Sequence, residues 1–336
     1  MVALTAVREC NTCAASDERM VCVCAGATSG IGAGTLSRLV QLRPNSTFYV
    51  IGRSAARFAA FQQQDLIGSI QSQNGSGKVV FLEAEFSVLA QVDDVCRKIS
   101  GIENRVDWLY MSPGMIPLNG AQFTSEGLET CFALSYYSRA RLLTNLLPLL
   151  NRSRRPKVLN VLNGGKEQPL LEDDLGLEHN WSAIRVVNHS TTMTSLLLDH
   201  LSAQNPEIAF IHAQPGWVHT DNFARLSDGD HGLVWDLVVR GIQSVVTVLV
   251  TIFGISTSEA GERQAFHLTS GLFGPGTWLV DHHSEDVAPN LVMKQGRQQS
   301  LPGKVWSHTD GFFTKHTGHA RLRTPADQTW TRGEPL

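Results

Sequence analysis

The sequence predicts an α/β fold, a parallel sheet covered by helices on both faces. Three observations carry this. Apolar runs of strand length alternate with helical patterns from Val21 almost to residue 285. The runs are continuously apolar, as strands buried on both faces require. Several stop on breakers: Ser112-Pro113-Gly114, Asn163-Gly164-Gly165 and Pro215-Gly216.

The elements follow in order. Val21 to Ala25 reads as the first strand, and a helix opens with Leu36, Leu39, Val40 and Leu42. Thr47 to Ile51 is a second strand and Ala55 to Ile70 a helix. Val79 to Leu82 is a third strand, then Val88 to Ile99 is helical. Val106 to Met111 is a fourth strand, and Ser125 to Leu150 one long helix. Val158 to Leu162 is the fifth strand, Asn188 to Ala203 a helix, and Ile208 to His212 the sixth strand. Ser256-Thr257-Ser258-Glu259 is a capping-box pattern that opens a helix to about Leu268, and Thr277 to Val280 fits a last strand. After Asp281 the pattern weakens, although Lys304-Val305-Trp306 and Phe312-Phe313 suggest docking.

With no repeat and no low-complexity linker, this is one domain over 19–285, preceded by a segment, 1–18, and followed by a C-terminal extension and tail, 286–336. The domain includes an apolar substrate or lid region, 221–275. Its stretch 232–255 is interrupted by Asp236 and Arg240, so a pocket-lining helix or subunit contact is favoured over a membrane anchor. Residues 1–18 are polar and lack the apolar core of a secretory signal, so a cytoplasmic location is expected. A formal charge of −3 gives no reason to expect nucleic acid. The six cysteines read as reduced thiols, Cys22 and Cys24 sharing one face of the first strand, rather than as a zinc site. Asp281-His282-His283 with Glu285 reads as loop surface, not as a metal site.

The informative stretch is Gly26-Ala27-Thr28-Ser29-Gly30-Ile31-Gly32, between the first strand and the first helix of the domain. Strand, glycine-rich turn and helix in that order place free N–H groups against a diphosphate, the arrangement of a Rossmann-type doubly wound sheet. Ligands in such sheets sit beyond the carboxyl ends of the strands. That edge gathers Gly26, Thr28, Ser29, Gly30, Ile31, Gly32, Arg53, Ser54, Glu85, Gly114, Pro215, Gly216 and Thr220 as the expected cofactor contacts. Where an acid would read the ribose of NAD, the second strand ends in Arg53-Ser54. A guanidinium pairs with a 2′-phosphate, so NADP(H) is expected over NAD(H).

These features resemble the short-chain dehydrogenases/reductases. The Gly26–Gly32 turn, Leu146-Leu147-Pro148-Leu149-Leu150 and Pro215-Gly216-Trp217-Val218-His219-Thr220 carry the likeness, over about residues 20 to 275. More narrowly, Glu126-Gly127-Leu128, Tyr136-Tyr137-Ser138-Arg139 and Val305-Trp306-Ser307-His308-Thr309 resemble divergent members from fungal biosynthetic gene clusters. The resemblance implies hydride transfer with NAD(P)(H), resting on a Tyr, a Lys four residues later, a Ser and an Asn. Aligned so, His189 stands for the Tyr, Met193 for the Lys, Asn163 for the Ser and Ser135 for the Asn. No Tyr-x-x-x-Lys exists anywhere in the chain. His189, Asn163 and Ser135 are therefore the candidate catalytic residues, with Tyr137 as an outside candidate. His189 has a proton to give near neutral pH, or is a satisfied polar residue at a helix start. Asn163 can donate a hydrogen bond to a substrate oxygen.

Three readings stay open. One is an atypical NADP(H)-dependent oxidoreductase on a small polyketide- or terpenoid-like metabolite, using His189 or a water as acid. Another is a non-redox isomerase, cyclase or dehydratase on the same fold. The last is a catalytically silent nucleotide-binding protein. The partner expected in the first two is a small-molecule substrate, and a homo-oligomer is compatible with all three.

Overall fold

Seven strands form one parallel sheet in the order β3-β2-β1-β4-β5-β6-β7. The structure, a computed structural model, describes residues 2–64, 76–115, 117, 120–218 and 254–318. The strands are β1 (Val21–Ala25), β2 (Thr47–Gly52), β3 (Lys78–Glu83), β4 (Trp108–Met111), β5 (Lys157–Val161), β6 (Ala209–Ala213) and β7 (Gly276–Val280). The doubly wound architecture expected from the sequence is what forms. Most of the stretch 232–255, and Thr220, lie outside the described residues.

Period-two alternation divides the sheet between two cores. Val21, Val23 and Ala25 of β1 point into one, and Cys22 and Cys24 into the other. Helices α2 (Gly30–Leu42), α3 (Ala55–Gln64) and α7 (Thr257–Thr269) cover the cysteine face. The opposite face is covered by α4 (Leu89–Ile102), the long α5 and α6 (Ala183–Gln204). Helix α5 begins as Thr130–Phe132, passes through a π-helical segment at Ala133–Tyr137, and continues as Ser138–Leu150.

Several boundaries differ from the sequence expectation, each for a local reason. The long helix starts at Thr130, not Ser125, because the Glu126 carboxylate turns away to accept the Leu89 and Ala90 N–H groups at the start of α4 (2.6 and 2.9 Å). Strand β4 starts at Trp108, because the Asp107 side chain takes the Val21 N–H (2.8 Å). Helix α6 starts early, at Ala183, where the Ser182 hydroxyl caps the Arg185 N–H.

Both chain ends add helices that the pattern alone left undefined. Helix α1 (Leu4–Cys13) packs on α7, where Asn11 donates to the Glu262 side chain (2.8 Å). In the C-terminal extension, α8 (Leu291–Gln298) and α9 (Leu301–Thr317) fold back onto α6. Leu301, Val305, Thr309 and Phe313 form the buried stripe of α9. Among the described residues, no helix is long and apolar enough to cross a membrane.

Candidate active site at the carboxyl edge of the sheet

The turn after β1 is built by close packing. Gly26 takes φ +77°, and a Cβ there would meet the Pro113 nitrogen at 2.5 Å. At Gly32 a Cβ would stand 2.1 Å from the Gly26 carbonyl oxygen and 2.8 Å from Ser112 Oγ. Only glycine lets the first turn of α2 lie this close to the strand ends. Ser29 is the N-cap of α2 but its hydroxyl caps nothing, and the first intrahelical bond is Ala33 N–H to Ser29 O. The N–H groups of Gly30, Ile31 and Gly32 precede it, where a helix start presents donors and a positive dipole end.

A cleft runs from this turn across the sheet edge. It is lined by Gly26, Thr28, Ser29, Gly30, Ile31 and Gly32, by Arg53, Ser54, Arg57 and Glu85, and by Ser112, Pro113, Gly114 and Leu134. Nine expected cofactor residues thus meet in one cavity: the six of the turn and Arg53, Ser54 and Glu85; Gly114 joins them at the far end. Arg53 Nη1 lies 3.8 Å from Glu85 Oε2, a loose and exposed pair. Arg57 is a residue that the sequence reading missed. It sits in the first turn of α3, where the Ser54 hydroxyl accepts its N–H (3.2 Å). A cation at a helix N-terminus opposes the dipole unless an anion sits beside it, and that misplacement was the available signal.

The second half of the edge is organised by β5, β6 and α6. Asn163 Nδ2 reaches Thr191 Oγ1 at 3.5 Å. The Asn163 N–H donates to His212 Nε2 (3.3 Å), so His212 carries its proton on Nδ1 and donates it to Ser195 Oγ (2.7 Å). Ser195 in turn donates to Glu167 Oε1 (2.7 Å). Burial, with Arg139 nearby, holds the His212 pKa down at about 3, so the ring is neutral. This chain of bonds fixes the backbone of the Asn163 turn from beneath.

His189 is placed differently from its expected role. It is 2% exposed. Its Nε2 accepts the Leu171 N–H (3.1 Å), and Nδ1 donates to the Leu175 carbonyl (3.3 Å). Both nitrogens are thus engaged with the insert between β5 and α6, and burial holds the pKa below the ordinary histidine value. Met193 is fully buried in the core. The residue of α6 that meets Asn163 is Thr191, two residues after His189.

Ser135 lies buried in the π segment, 3.8 Å from Cys131 Sγ, while its neighbour Leu134 lines the cleft. Tyr137 faces away: its hydroxyl meets His308 Nε2 (3.0 Å) and its ring stacks on Phe312 of α9 (3.9 Å). Gly216, φ +74°, packs against the Cβ of His282 rather than on the glycine turn, and Pro215 precedes it at the end of β6. Thr220 lies outside the described residues. Among the described residues no group of three or more His, Cys, Asp or Glu side chains could hold a metal ion.

The comparisons with known proteins agree with this fold. No protein-family model matches the sequence. The chain is 34% identical to an oxidoreductase of Emericella nidulans, over 93% of this chain and 98% of that protein. It is 32% identical to an oxidoreductase of Aspergillus flavus, over 93% and 97%. A short-chain dehydrogenase/reductase of Stachybotrys chartarum is 23% identical over 86% of this chain and 90% of its own. Among solved structures, an NADP-bound 3-oxoacyl (acyl-carrier-protein) reductase of Agrobacterium tumefaciens shares the fold, with TM-score 0.54 at 16% identity, covering 78% of this chain and 93% of that one.

Proposed function

The chain belongs to the short-chain dehydrogenase/reductase family, among its fungal oxidoreductases, and from that premise we propose that it uses NADPH to reduce a carbonyl of a small secondary metabolite. One observation carries the cofactor choice: Arg53, Ser54 and Arg57 gather at one end of a cleft whose middle is the glycine turn. Two guanidinium groups and a helix N-terminus suit a 2′-phosphate, and no carboxylate stands in the ribose-reading position at the end of β2. Glycines 26 and 32 pack so closely on Pro113, Ser112 and the turn's own backbone that no Cβ fits, which holds the start of α2 against the strand ends, where a diphosphate would lie on backbone N–H groups. The NADP-bound reductase of the same fold supports the reading.

When bound, the reduced nicotinamide supplies a hydride to the carbonyl carbon, and a proton from water completes the alcohol. The protein's part is to hold the reactants. Asn163 donates from Nδ2 to the substrate oxygen, and Thr191, one hydrogen bond away, orients the water that gives the proton. His189 has no free nitrogen for this task. Loss of the family's Tyr and Lys leaves a slow enzyme, because preorganised charge is the larger part of such catalysis.

The test is direct titration. Arg53→Asp combined with Arg57→Ala is expected to weaken NADPH binding by at least about tenfold, the size of a charge-assisted contact, and to leave NADH binding nearly unchanged. Equal loss for both nucleotides would remove the 2′-phosphate assignment. A second reading, a non-redox conversion on the same scaffold, draws on the absence of any Tyr-x-x-x-Lys in the sequence. Single-turnover mixing of the NADPH complex with candidate ketones separates the two: product without loss of nicotinamide absorbance supports the second.

A further inference from the structure

Beneath the far end of the cleft lies a guanidinium with no carboxylate paired to it among the described residues. Arg139, on α5 just past the π segment, is 3% exposed. Its Nε donates to the Leu134 carbonyl (3.1 Å), and Nη1 to Asn160 Oδ1 (2.7 Å) and the Val161 carbonyl (2.9 Å). Nη2 donates to the Pro113 carbonyl, and lies 3.8 Å from where a Cβ on cleft-lining Gly114 would stand. All of these partners are neutral oxygens. Together they tie the end of β4, the end of β5 and the π segment to one side chain. A neutral amide can bridge carbonyls, whereas burying a full charge costs several kcal/mol of solvation. Burial lowers the Arg139 pKa to about 9, which leaves it charged at neutral pH.

Its position relative to a dinucleotide follows from topology. Strand order reverses between β1 and β4, and dinucleotides lie across that reversal. With the adenosine half at β2, the second nucleoside lies over the ends of β4 and β5, the two strands that Arg139 clamps. We propose that Arg139 is the fixed positive charge of the reaction site, positioning these strand ends and favouring the neutral reduced nicotinamide over its cationic oxidised form. This rests on the NADP(H) reading above. Helix α6 carries no Lys, and its residue that meets Asn163 is Thr191, so the charge comes instead from α5. At an effective dielectric near 20, a buried cation within about 10 Å of a second positive charge disfavours it by at least about tenfold. It also attracts the negative charge that develops on a substrate oxygen.

The test measures binding by calorimetry on the full chain, with NADPH, NADP+ and 2′,5′-ADP, which carries only the adenosine end. Wild type is expected to bind NADPH at least about tenfold more tightly than NADP+. Arg139→Gln is expected to bring that ratio to within about threefold of unity and to leave 2′,5′-ADP affinity unchanged, whereas Arg139→Lys keeps the ratio. Equal wild-type affinity for the two forms overturns the proposal, as does a full ratio in the Gln variant. Should the Gln variant fail to fold, as circular dichroism would report, the wild-type ratio and a folded Lys variant decide; a ratio lost in Lys overturns the charge account. Binding of 2′,5′-ADP without any ratio sinks only the role of Arg139. Binding of none of the three removes the nucleotide reading, and this proposal with it.

Discussion

Replacing His189 by Ala leaves the Leu171 N–H and the Leu175 carbonyl without their partners in a buried site. The expected loss is about 2–4 kcal/mol, measured by urea unfolding, with turnover within about threefold of wild type and the pH profile unmoved. A collapse of turnover at unchanged stability would return His189 to the chemistry. Asn163→Ala should do the reverse, lowering turnover by at least about tenfold while stability falls by less than about 1 kcal/mol. At this scale the sequence was informative where chemistry and chain position coincide. The glycine turn, Arg53 and Asn163 each close a strand, and strand ends are readable. Thr191 was not readable, because its register depends on the long insert before α6. That insert is pinned by His189 and by the mutual Gln168–Thr192 hydrogen bonds, which pattern cannot foresee.

Helix α2 crosses α7 at a pair of glycines. A Cβ on Gly261 would stand 2.4 Å from the Gly34 carbonyl carbon, and one on Gly34 would stand 2.3 Å from the Thr257 oxygen. Both obstacles are backbone, so Gly261→Ala must separate the helices, at an expected cost of about 1–3 kcal/mol in urea unfolding. Gly271→Ala, with nothing within 4 Å, is the neutral control. The strands were legible because each is a continuous apolar run buried on both faces. Helix α9 was only half legible: its buried stripe is one residue per turn and includes Thr309, too narrow for a clear helical period. The π segment was invisible, since it arises where Arg139 takes the carbonyl of Leu134 out of the regular ladder.

Across the whole molecule, two buried histidines set the acid limit. His212 and His267 are both held down to about 3, chiefly by burial. The unfolded chain takes up their protons near pH 6.5, and the native state resists until about 3. The unfolded state therefore binds more protons in that window, so stability is full above about pH 6.5 and falls steadily below it. Buried Lys157, which donates to the His267 and Ser270 carbonyls at the end of α7, is lowered to about 8. Stability should accordingly rise again from about pH 8 to about 10.4. Thermal unfolding across pH 4 to 10 checks both slopes. No single residue predicts this behaviour; it follows from which polar groups the two cores enclose.

Helix α9 carries a consequence for how the chain assembles. It seals Tyr136 through Thr309 and lays Phe313 over Arg141, whose guanidinium is paired with Asp93 beneath it. These contacts span more than 170 residues of sequence in the Tyr136–Thr309 pair. During synthesis the aromatic face of α5 therefore stays open until α9 has emerged. Loop closure of that length is slow, and an exposed apolar face invites association in the interval. The C-terminal helix thus acts as a clock on maturation, and refolding of a chain ending before Leu301 should favour aggregation over a native product.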